Sequence, residues 1–384
     1  KDVVIVVDPS DYERVLAAMA SEGGVGRPLR AELATRAFHH TAAYDAAITN
    51  WMSRNLQQEK PQERFPQSLV MSFDRLQSLR YGENPHQTGA FYRDSNYTGI
   101  SLAGAKQLGG KELSYNNIVD LDAALDLVLE FADPACAIIK HTNPCGLAVR
   151  ANLTDAFAAA RAGDPISAFG GIIAFNQPVD VAVAEAITGP QTFFEAIIAP
   201  GFDPDSLPIL KERKKWGANL RLIQIDLSSQ RRDPIVAKKI SGGLLLQDAD
   251  LIDLDPDDLT VVSNRQPTEA EWSDLRFAWK AVKHAKSNAI VLVKDQTILG
   301  VGAGQMNRVG SVKIAAEHAG DSARGSVLGS DAFFPKPDGP QASADAGVTA
   351  IIQPGGSVED ANTIEVANAN NMAMVMTGIR HFRH

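Results

Sequence analysis

Short apolar runs alternate with helical patterns along most of the chain. Each run is a continuous apolar stretch of four or five residues, which is typical of a strand buried on both faces. Each helical pattern has the composition and spacing of a helix between two strands. This alternation predicts an α/β fold. The runs are residues 136–139, 172–175 and 289–293, and the helical patterns are residues 118–131, 155–162, 181–188 and 269–286.

The N-terminal part of the chain has a different pattern. Residues 1–7 predict a strand, residues 12–20 a helix, and residues 29–56 a long helix with apolar positions spaced by threes and fours. Residues 55–66 are polar and contain prolines, which predicts a linker. Because Lys1 opens a strand with almost nothing before it, we expect the chain to be the tail of a larger protein whose N-terminal part is missing.

A chain of 384 residues is too long for one ordinary hydrophobic core, so two or more domains are expected. The polar linker and an acidic, proline-containing stretch at residues 248–258 indicate where the boundaries lie. We predict domains at residues 1–67, 68–250 and 251–384.

The most unusual polar pair follows the first apolar run. Lys140 and His141 come directly after residues 136–139, and Asn143 and Pro144 then predict a turn. Open α/β sheets bind ligands where strands end in loops, and a charged Lys beside a titratable His suits such a site. A structural His and a Lys directed to solvent explain the pair about equally well.

Two other polar segments lie near the start of the second predicted domain. Arg80 and Tyr81 precede a Gly and an Asn-Pro turn, which suits an anion held by a guanidinium with an aromatic ring beside it. A solvated loop is the somewhat better explanation of this segment alone. Asn116 and Asn117 precede a helix, so one is expected to cap it and the other to remain free.

The next strands also begin with residues that suit a site. Paired glycines, Gly170 and Gly171, precede residues 172–175 and allow close approach of a ligand to the backbone. Glu195 lies at the mouth of a further apolar strand. The successive polar and glycine-rich strand ends predict that one edge of the sheet binds a ligand.

The second half of the chain starts with a similar arrangement. Residues 283–288 form a weak echo of the Lys140 segment, which permits two related subdomains, and residues 294–297 predict a hairpin. Residues 302–308 have a Gly-x-Gly that matches neither a dinucleotide nor a phosphate-loop motif, but they end in Arg308, which suits a single anion.

Two features near the C-terminus also suggest a binding site. Phe333 and Phe334 face opposite ways in an extended chain, so one of them is expected to line a pocket that stacks a flat ring. Residues 380–384 read Arg-His-Phe-Arg-His, which is unsuited to a core, although C-terminal residues are normally frayed.

Composition narrows the classes of function. The chain is 45% hydrophobic and 22% charged, the balance of an ordinary globular protein, and its net charge of -9 argues against a general nucleic-acid binder. The apolar runs are far too short to span a membrane. Two cysteines give neither a disulfide framework nor a zinc set, so a reducing cytoplasm is expected.

Seven motifs in order from residue 79 onward make the chain similar to a known family, the bifunctional AICAR transformylase / IMP cyclohydrolase enzymes of purine biosynthesis. One such motif would be weak evidence, whereas seven in family order are specific. They are Leu-Arg-Tyr-Gly-Glu-Asn-Pro-His-Gln from Leu79, Lys-His-Thr-Asn-Pro-Cys-Gly from Lys140, Ser-Ala-Phe-Gly-Gly from Ser167, Lys-Ser-Asn-Ala-Ile from Lys286, Gly-Ala-Gly-Gln from Gly302, Ser-Asp-Ala-Phe-Phe-Pro from Ser330 and the closing Arg-His-Phe-Arg-His.

The resemblance implies two cytidine-deaminase-like subdomains without zinc, since Ala148 stands where a second cysteine ligand would be needed. Residues 1–67 resemble the end of a methylglyoxal-synthase-like cyclohydrolase domain, most of which is absent together with its lysine. The resemblance also implies a homodimer with active sites at the interface, formyl-tetrahydrofolate as co-substrate, and allows a structural monovalent cation.

The implied reaction moves a formyl group from formyl-tetrahydrofolate to the amine of AICAR (aminoimidazolecarboxamide ribonucleotide). This amine is a weak nucleophile, so the reaction needs a base for its proton and a cation for the oxyanion. The resemblance gives His141 as the base, Lys140 as the oxyanion or leaving-group partner, and Asn288 as the residue that orients the amine and formyl oxygen.

The resemblance also implies binding residues. Glu195 stands where some relatives have Asp, and Lys336 and Pro337 replace more usual Phe and Arg. The AICAR candidates are Arg80, Tyr81, His141, Gly170, Glu195, Asn288, Arg308, Phe333 and Arg380; the folate candidates are Val309, Asp338, Ser357 and Val358; and Asn117 and His384 are additional candidates.

Three alternatives remain open at this stage. A non-catalytic fragment that binds AICAR would show binding without formyl transfer. A zinc nucleoside deaminase is suggested by the implied fold alone and would hold stoichiometric zinc. A purely structural protein is least favoured, because polar clusters at strand ends serve no packing purpose.

Overall fold

The computed structural model describes residues 3–22, 24–55, 65–229 and 233–384. These residues form two compact units: one contains residues up to 78 together with 90–98, and the other contains residues 79–89 and 99–384. Most of the linker predicted at residues 55–66 lies outside the described residues. The three predicted domain boundaries stay predictions.

The first unit has two helices and a two-stranded sheet. Its helices are tied by ion pairs, because Arg36 donates to Asp11 at 2.7 Å and Arg14 donates to Glu32 at 2.5 Å. Both helices predicted in this part of the chain are confirmed. The elements are α1 (Tyr12–Glu22), α2 (Arg27–Asn55), β1 (Phe73–Leu79) and β2 (Gly89–Asp94).

The strand predicted at residues 1–7 is wrong over the part that is described. Residues 3–7 do not pair with another strand. Val3 and Ile5 are 72% and 48% exposed, so these side chains of the apolar run that suggested a strand do not face a core. An extended segment becomes a strand only when a partner takes its backbone hydrogen bonds.

The second unit contains a twelve-stranded sheet, a separate two-stranded hairpin and helices between the strands. The strands are β3 (Lys106–Gly109), β4 (Ala135–Lys140), β5 (Asn143–Val149), β6 (Gly171–Phe175), β7 (Phe194–Ala199), β8 (Arg221–Gln224), β9 (Ile235–Ile240), β10 (Gly243–Asp248), β11 (Thr260–Val261), β12 (Ile290–Lys294), β13 (Thr297–Gly302), β14 (Val327–Ser330), β15 (Ala350–Gln353) and β16 (Ala373–Met376). The helices are α3 (Tyr115–Val128), α4 (Leu153–Gly163), α5 (Pro165–Ala168), α6 (Val181–Ile187), α7 (Ser206–Glu212), α8 (Glu269–Val282), α9 (Arg308–Ala319), α10 (Asp338–Asp345) and α11 (Asp360–Ala369).

The strand order of the large sheet repeats itself around its centre. The order is β11-β16-β15-β14-β12-β13-β5-β4-β6-β7-β8-β3. Each half has a central antiparallel hairpin, an antiparallel neighbour, two further parallel strands and an antiparallel edge strand. The predicted α/β class is therefore confirmed as a large mixed sheet with helices between its strands.

The two halves of the sheet meet where β5 pairs with β13 in antiparallel direction, with Ala148 opposite Thr297. Arg150 strengthens this junction, because its guanidinium donates to the Asp295 carbonyl at 2.7 Å and to the Thr297 hydroxyl at 2.6 Å. The hairpin predicted at residues 294–297 is confirmed as the turn between β12 and β13.

In this topology, residues 283–288 are not the structural counterpart of the Lys140 segment. In the first half, Lys140 is followed by the turn between β4 and β5, and its counterpart in the second half is Lys294. Lys283 and His284 instead are buried and lie 2.9 and 3.1 Å from the Glu130 carboxylate. Burial alone would raise the pKa of Glu130, but hydrogen bonds and charge from these two residues outweigh it and hold that pKa below its usual range.

Two predicted helix boundaries move for local reasons. The helix predicted from residue 118 starts three residues earlier, because Ser114 and Asn117 form a capping box around its first turn. The helix predicted to end at residue 286 ends at Val282, and His284 and Ala285 bond to carbonyls three positions back.

Helices pack very closely on the central hairpins. A Cβ added to Gly300 in β13 would lie 2.0 Å from the Ala315 carbonyl oxygen in α9. Because that neighbour is backbone, it cannot rotate away. Only glycine lets α9 reach the sheet at this distance.

None of the helices in the described ranges combines the length and the apolar character that a membrane span requires.

Gly300→Ala should destabilise the second unit by about 3 kcal/mol or more, because overpacking against backbone has no low-energy relief. The midpoint of thermal unfolding should fall by several degrees. Gly243→Ala is the control, since a Cβ there would meet only the Ile240 side chain at 3.5 Å. Equal midpoints for the two variants would contradict this account of the packing.

Candidate active site

Most of the candidate residues lie along one edge of the twelve-stranded sheet, where edge means the side formed by the ends of the strands. β4 is antiparallel to β6, with Ile139 opposite Ile172, so the carboxyl end of β4 lies beside the amino ends of β6, β7 and β8. β12 is antiparallel to β14, so its start lies beside the carboxyl ends of β14, β15 and β16. The antiparallel β5–β13 pairing puts both sets on the same edge. In the first half this edge therefore consists of the carboxyl end of β4 and the amino ends of β5, β6, β7 and β8.

His141 and Thr142 form the turn at the end of β4. Lys140 pairs with Asn143, and the two residues between them have φ angles of 53° and 62°. Both angles are positive, as in the turn type that matches the twist of a hairpin. The predicted turn at Asn143 and Pro144 is therefore wrong, because both residues already belong to β5.

The side chains of Lys140 and His141 have different surroundings. The Lys140 ammonium donates to the Phe169 carbonyl at 2.9 Å, which brings it next to Gly170 in the chain. The imidazole of His141 is exposed and has no hydrogen-bond partner among the residues described. Both residues line a cavity of about 260 Å³, whose other walls come mainly from β13 and α9.

Asn143 connects this turn to the second half of the sheet. Its amide nitrogen donates to the His141 carbonyl at 3.0 Å, and its amide oxygen accepts from the Lys286 N–H at 2.9 Å. Lys286 is two residues before Asn288. The sequence-predicted residues Lys140, His141 and Asn288 are therefore joined through one side chain that the sequence analysis did not select.

Asn288 is held in place from two sides. Its amide nitrogen donates to the Gln305 carbonyl at 2.8 Å, and its amide oxygen accepts from Arg308 at 2.8 Å. Its backbone carbonyl accepts from the Ser311 hydroxyl at 2.9 Å. The orientation of this amide is thus fixed without any ligand.

Arg308 is buried and its guanidinium already has protein partners. It donates to the Asp331 carboxylate at 2.5 Å and to the Ser330 hydroxyl at 2.9 Å. Arg308 is 5% exposed and Asp331 is fully buried, so the two charges balance each other away from water. The role suggested by the sequence, an anion ligand, stays a prediction. What the geometry supports directly is that Arg308 positions Asn288.

The C-terminal residues are held at this edge by hydrogen bonds, although chain ends are normally frayed. The His381 N–H donates to the Asp331 carbonyl at 2.9 Å. The Ser287 N–H donates to the Arg383 carbonyl at 2.9 Å, and the Arg383 N–H donates to the Ser287 hydroxyl at 3.0 Å. The His381 ring is buried against Trp279, with centroids 4.7 Å apart. This anchoring leaves Arg380 exposed, with its guanidinium 4.7 Å from the Phe382 ring. The His384 ring lies 5.6 Å from the same Phe382 ring.

Glu195 lies at a bulge at the start of β7, where the register with β6 shifts. Such bulges redirect a side chain at a sheet edge. The Glu195 carboxylate makes a short hydrogen bond with the buried guanidinium of Arg221, the first residue of β8. Gly170 precedes β6, has a φ of 77°, and donates its N–H to the Phe193 carbonyl at 2.8 Å.

Arg80 and Tyr81 lie in the loop that follows β1. The Arg80 guanidinium lies 5.7 Å from the Tyr81 ring centroid. Asn116 reaches this loop by donating to the Glu83 carbonyl at 3.4 Å, so it is not free as expected. Asn117 belongs to the capping box as its third helical residue, and its amide oxygen accepts from both the N–H and the hydroxyl of the N-cap residue Ser114.

The remaining candidates follow the ends of β13, β14 and β15. The two phenylalanines differ in burial, as expected for side chains that face opposite ways, since Phe334 is fully buried and Phe333 is 36% exposed. That one of them lines a pocket for a flat ring stays a prediction. Val309 is half-buried in the first turn of α9, and Asp338 is exposed at the start of α10. Ser357 accepts the Glu359 N–H at 3.1 Å, while the Val358 side chain is completely exposed.

The connecting residues Asp120, Asn143, Arg221, Ser287 and Asp331 were missed by the sequence analysis. They join segments that only the sheet topology brings together. Within the described parts of the chain, no cluster of three or more His, Cys, Asp or Glu residues is arranged to hold a metal ion. Burial raises the pKa of the Cys145 thiol to about 12, with a contribution from Asp164 in the same direction.

Comparison with known proteins identifies the family. The model of the AICARFT/IMPCHase bienzyme family matches residues 1–318. The chain is 48% identical over all 384 residues to the bifunctional purine biosynthesis protein PurH of Oceanobacillus iheyensis and covers 73% of that protein. PurH proteins of Bacillus cereus and Bacillus anthracis match with the same identity and coverage. The chain therefore belongs to the AICARFT/IMPCHase bienzyme family.

Proposed function

We propose that this chain transfers a formyl group from formyl-tetrahydrofolate to the amine of AICAR, a step of IMP biosynthesis. Family membership over the whole chain carries this conclusion, and an intact bienzyme of the family also has IMP cyclohydrolase activity. The site geometry agrees with it, because Lys140, His141 and Asn288 lie along one edge of the sheet and are linked by Asn143. The non-catalytic alternative is not favoured.

His141 is the general base of this proposal. The amine nitrogen of AICAR attacks the formyl carbon, a C–N bond forms, and the amine must lose a proton. The His141 imidazole is exposed and hydrogen-bonds to none of the described residues, so it is available to accept that proton. The left-handed turn projects this side chain from the end of β4 instead of extending the strand.

Lys140 is the cation of this proposal. The formyl oxygen becomes an oxyanion in the tetrahedral intermediate, and the C–N bond to the folate nitrogen then breaks with delivery of a proton to that nitrogen. The Lys140 ammonium is held by one hydrogen bond to the Phe169 carbonyl, which leaves further N–H donors for either task.

Asn288 orients the amine and the formyl oxygen, and this role agrees with its fixed amide. Arg308 donates to the Asn288 amide and pairs with the Asp331 carboxylate, so the part of Arg308 in AICAR binding is indirect. Exposed Arg380 suits direct contact with a phosphate better, because its guanidinium is free of a buried carboxylate. The remaining AICAR candidates of the proposal are Arg80, Tyr81, Gly170, Glu195 and Phe333, with Asn117 and His384 as additional ones.

The folate is proposed to contact Val309, Asp338, Ser357 and Val358. The cavity of about 260 Å³ is lined by Lys140 and His141 but by none of these folate candidates, and two substrates must bind together. The complete exposure of the Val358 side chain also leaves this part of the site open. Both observations support a homodimer whose second subunit completes the site.

The fold within the proposal is two cytidine-deaminase-like subdomains without zinc, at residues 68–250 and 251–384, after a methylglyoxal-synthase-like remnant at residues 1–67. The repeated strand order supports two related subdomains. We also propose the cytoplasm as the compartment, which agrees with two free cysteines.

A structural monovalent cation belongs to the proposal as well. Hard cations prefer oxygen ligands, and the buried Asp331 carboxylate lies 2.5 Å from the Ser287 hydroxyl at the site edge. These two residues fit such an ion and would hold it, although Arg308 already balances the Asp331 charge. The ion would supply electrostatic anchoring of the C-terminal residues.

His141→Ala should lower kcat for formyl transfer by about 10²-fold or more, as expected for loss of a general base, while AICAR binding stays nearly unchanged. Absorbance of the released tetrahydrofolate measures turnover, and calorimetry measures AICAR binding. Asp295→Ala is the matched control, because Asp295 is exposed at the same position of the second hairpin turn. Near-normal turnover of His141→Ala would reject the assignment, and wild-type binding without any transfer would restore the non-catalytic alternative.

Lys140→Met should lower kcat by about 10²–10³-fold, because a preorganised oxyanion partner is lost. Lys294→Met serves as its control, since Lys294 is exposed at the equivalent strand end and donates weakly to the Arg324 carbonyl at 3.4 Å. Steady-state kinetics with both substrates varied separates kcat from KM. A loss confined to the KM of AICAR would assign Lys140 to binding instead.

A further inference from the structure

The two central hairpins of the sheet have turns of the same unusual geometry. His141 and Thr142 have φ angles of 53° and 62°, and Asp295 and Gln296 have 51° and 48°. Turns with two positive φ angles normally contain glycine or asparagine, and a β-branched residue such as Thr142 is rare there. Something outside each turn must therefore stabilise this backbone.

In both cases a carboxylate from the preceding helix supplies that stabilisation. Asp120 in α3 accepts the Thr142 N–H at 2.7 Å, and its carboxylate also interacts with the backbone of His141. Asp274 in α8 accepts the N–H groups of Asp295 at 3.0 Å and of Gln296 at 2.7 Å. Two successive N–H groups that converge in a turn form a site for an anion.

The correspondence extends along the chain. Asp120 and Asp274 are each the sixth residue of their helices, and each precedes the lysine of its hairpin by 20 positions. Lys140 and Lys294 then stand directly before the two turns. The difference lies in the next position, which is His141 in the first turn and Asp295 in the second.

The two turns lie on opposite edges of the sheet. The first lies at the carboxyl end of β4, on the edge that carries the candidate site. The second lies at the carboxyl end of β12, one strand length away from Asn288. The second turn thus has the same carboxylate support and no candidate catalytic group beside it.

We propose that Asp120 is a positioning residue for formyl transfer, because its carboxylate fixes the backbone of the turn that carries His141 and follows Lys140. This inference rests on the proposed function. Asp120 acts on the N–H side of the turn, and Asn143 holds the His141 carbonyl on the other side. With both sides held, the imidazole and the ammonium are presented together. Displacement of such groups by about 1 Å can cost roughly 10²-fold in rate.

The test compares Asp120 with Asp274, because the second turn measures the purely structural contribution. Asp120→Ala should lower kcat ten- to hundredfold while the KM for AICAR changes less than about threefold. Asp274→Ala should lower the midpoint of thermal unfolding by a similar amount and leave kcat within about twofold of wild type. Equal effects of the two substitutions on kcat would overturn the proposal.

Asp120→Asn keeps the shape of the side chain and one acceptor oxygen. It should therefore fold even if Asp120→Ala fails to fold, and its kcat should be higher than that of Asp120→Ala. In the His141→Ala background, Asp120→Asn should cause a smaller loss of kcat than in the wild-type background, since part of its effect acts through His141. A full additional loss in that background would overturn the proposal.

Hydrogen–deuterium exchange gives a readout that does not depend on turnover. In Asp120→Asn the peptide that contains His141 and Thr142 should exchange faster, while the peptide that contains Asp295 and Gln296 should not change. Unchanged exchange at the first turn would overturn the positioning role. Absence of formyl transfer by the wild-type chain would overturn the proposed function instead, and the exchange result would still decide whether Asp120 holds the turn.

Discussion

The antiparallel contact between β5 and β13 determines the arrangement of the candidate site. If the two halves of the sheet joined in parallel, equivalent ends would share an edge. Because they join in antiparallel direction, the turn after Lys140 lies on the same edge as the start of β12, where Asn288 stands. The edge therefore combines non-equivalent ends of two similar halves, and each half contributes different chemistry to it.

Buried charge at this edge serves to orient polar groups. Removing an ion pair from water is costly, so the fully buried Asp331 and the nearly buried Arg308 make sense only with several hydrogen bonds. Asp331 receives bonds from Ser287, Ala289 and Arg308, while its carbonyl anchors the C-terminal residues. The cost of burial is thereby offset by a fixed Asn288 amide and a fixed chain end.

Much of the fold could be predicted from the sequence because buried strands and amphipathic helices have clear periods. The strands that end at Lys140, start near Gly171 and include Val291 were predicted within about one residue. The strand at residues 1–7 failed because a pattern cannot show whether a partner strand exists. Helix ends shifted by three or four residues because capping by Ser114 and the tightened turn after Val282 are local effects.

The candidate site was predictable only for residues that lie next to an apolar run in the sequence. Lys140, His141 and Asn288 stood out as polar residues next to apolar runs, whereas Asp120 and Asn143 matter through contacts across long stretches of sequence. One signal was available for Asp120. Ser114 and Thr268, Asp120 and Asp274, and Lys140 and Lys294 each lie 154 positions apart, so a search at that spacing would have paired the two hairpins.

The second hairpin turn shows that the geometry of the first is not by itself a product of catalysis. A turn with positive φ angles, a supporting carboxylate and a preceding lysine exists at both edges of the sheet, and only one edge has acquired the histidine. The fold thus contains a second turn whose backbone could present a reactive side chain in the same way. A single substitution, Asp295→His, would place a Lys-His pair at that second turn, far from Asn288. Its reactivity there would separate what the pair does alone from what Asn288 and the other neighbouring residues add.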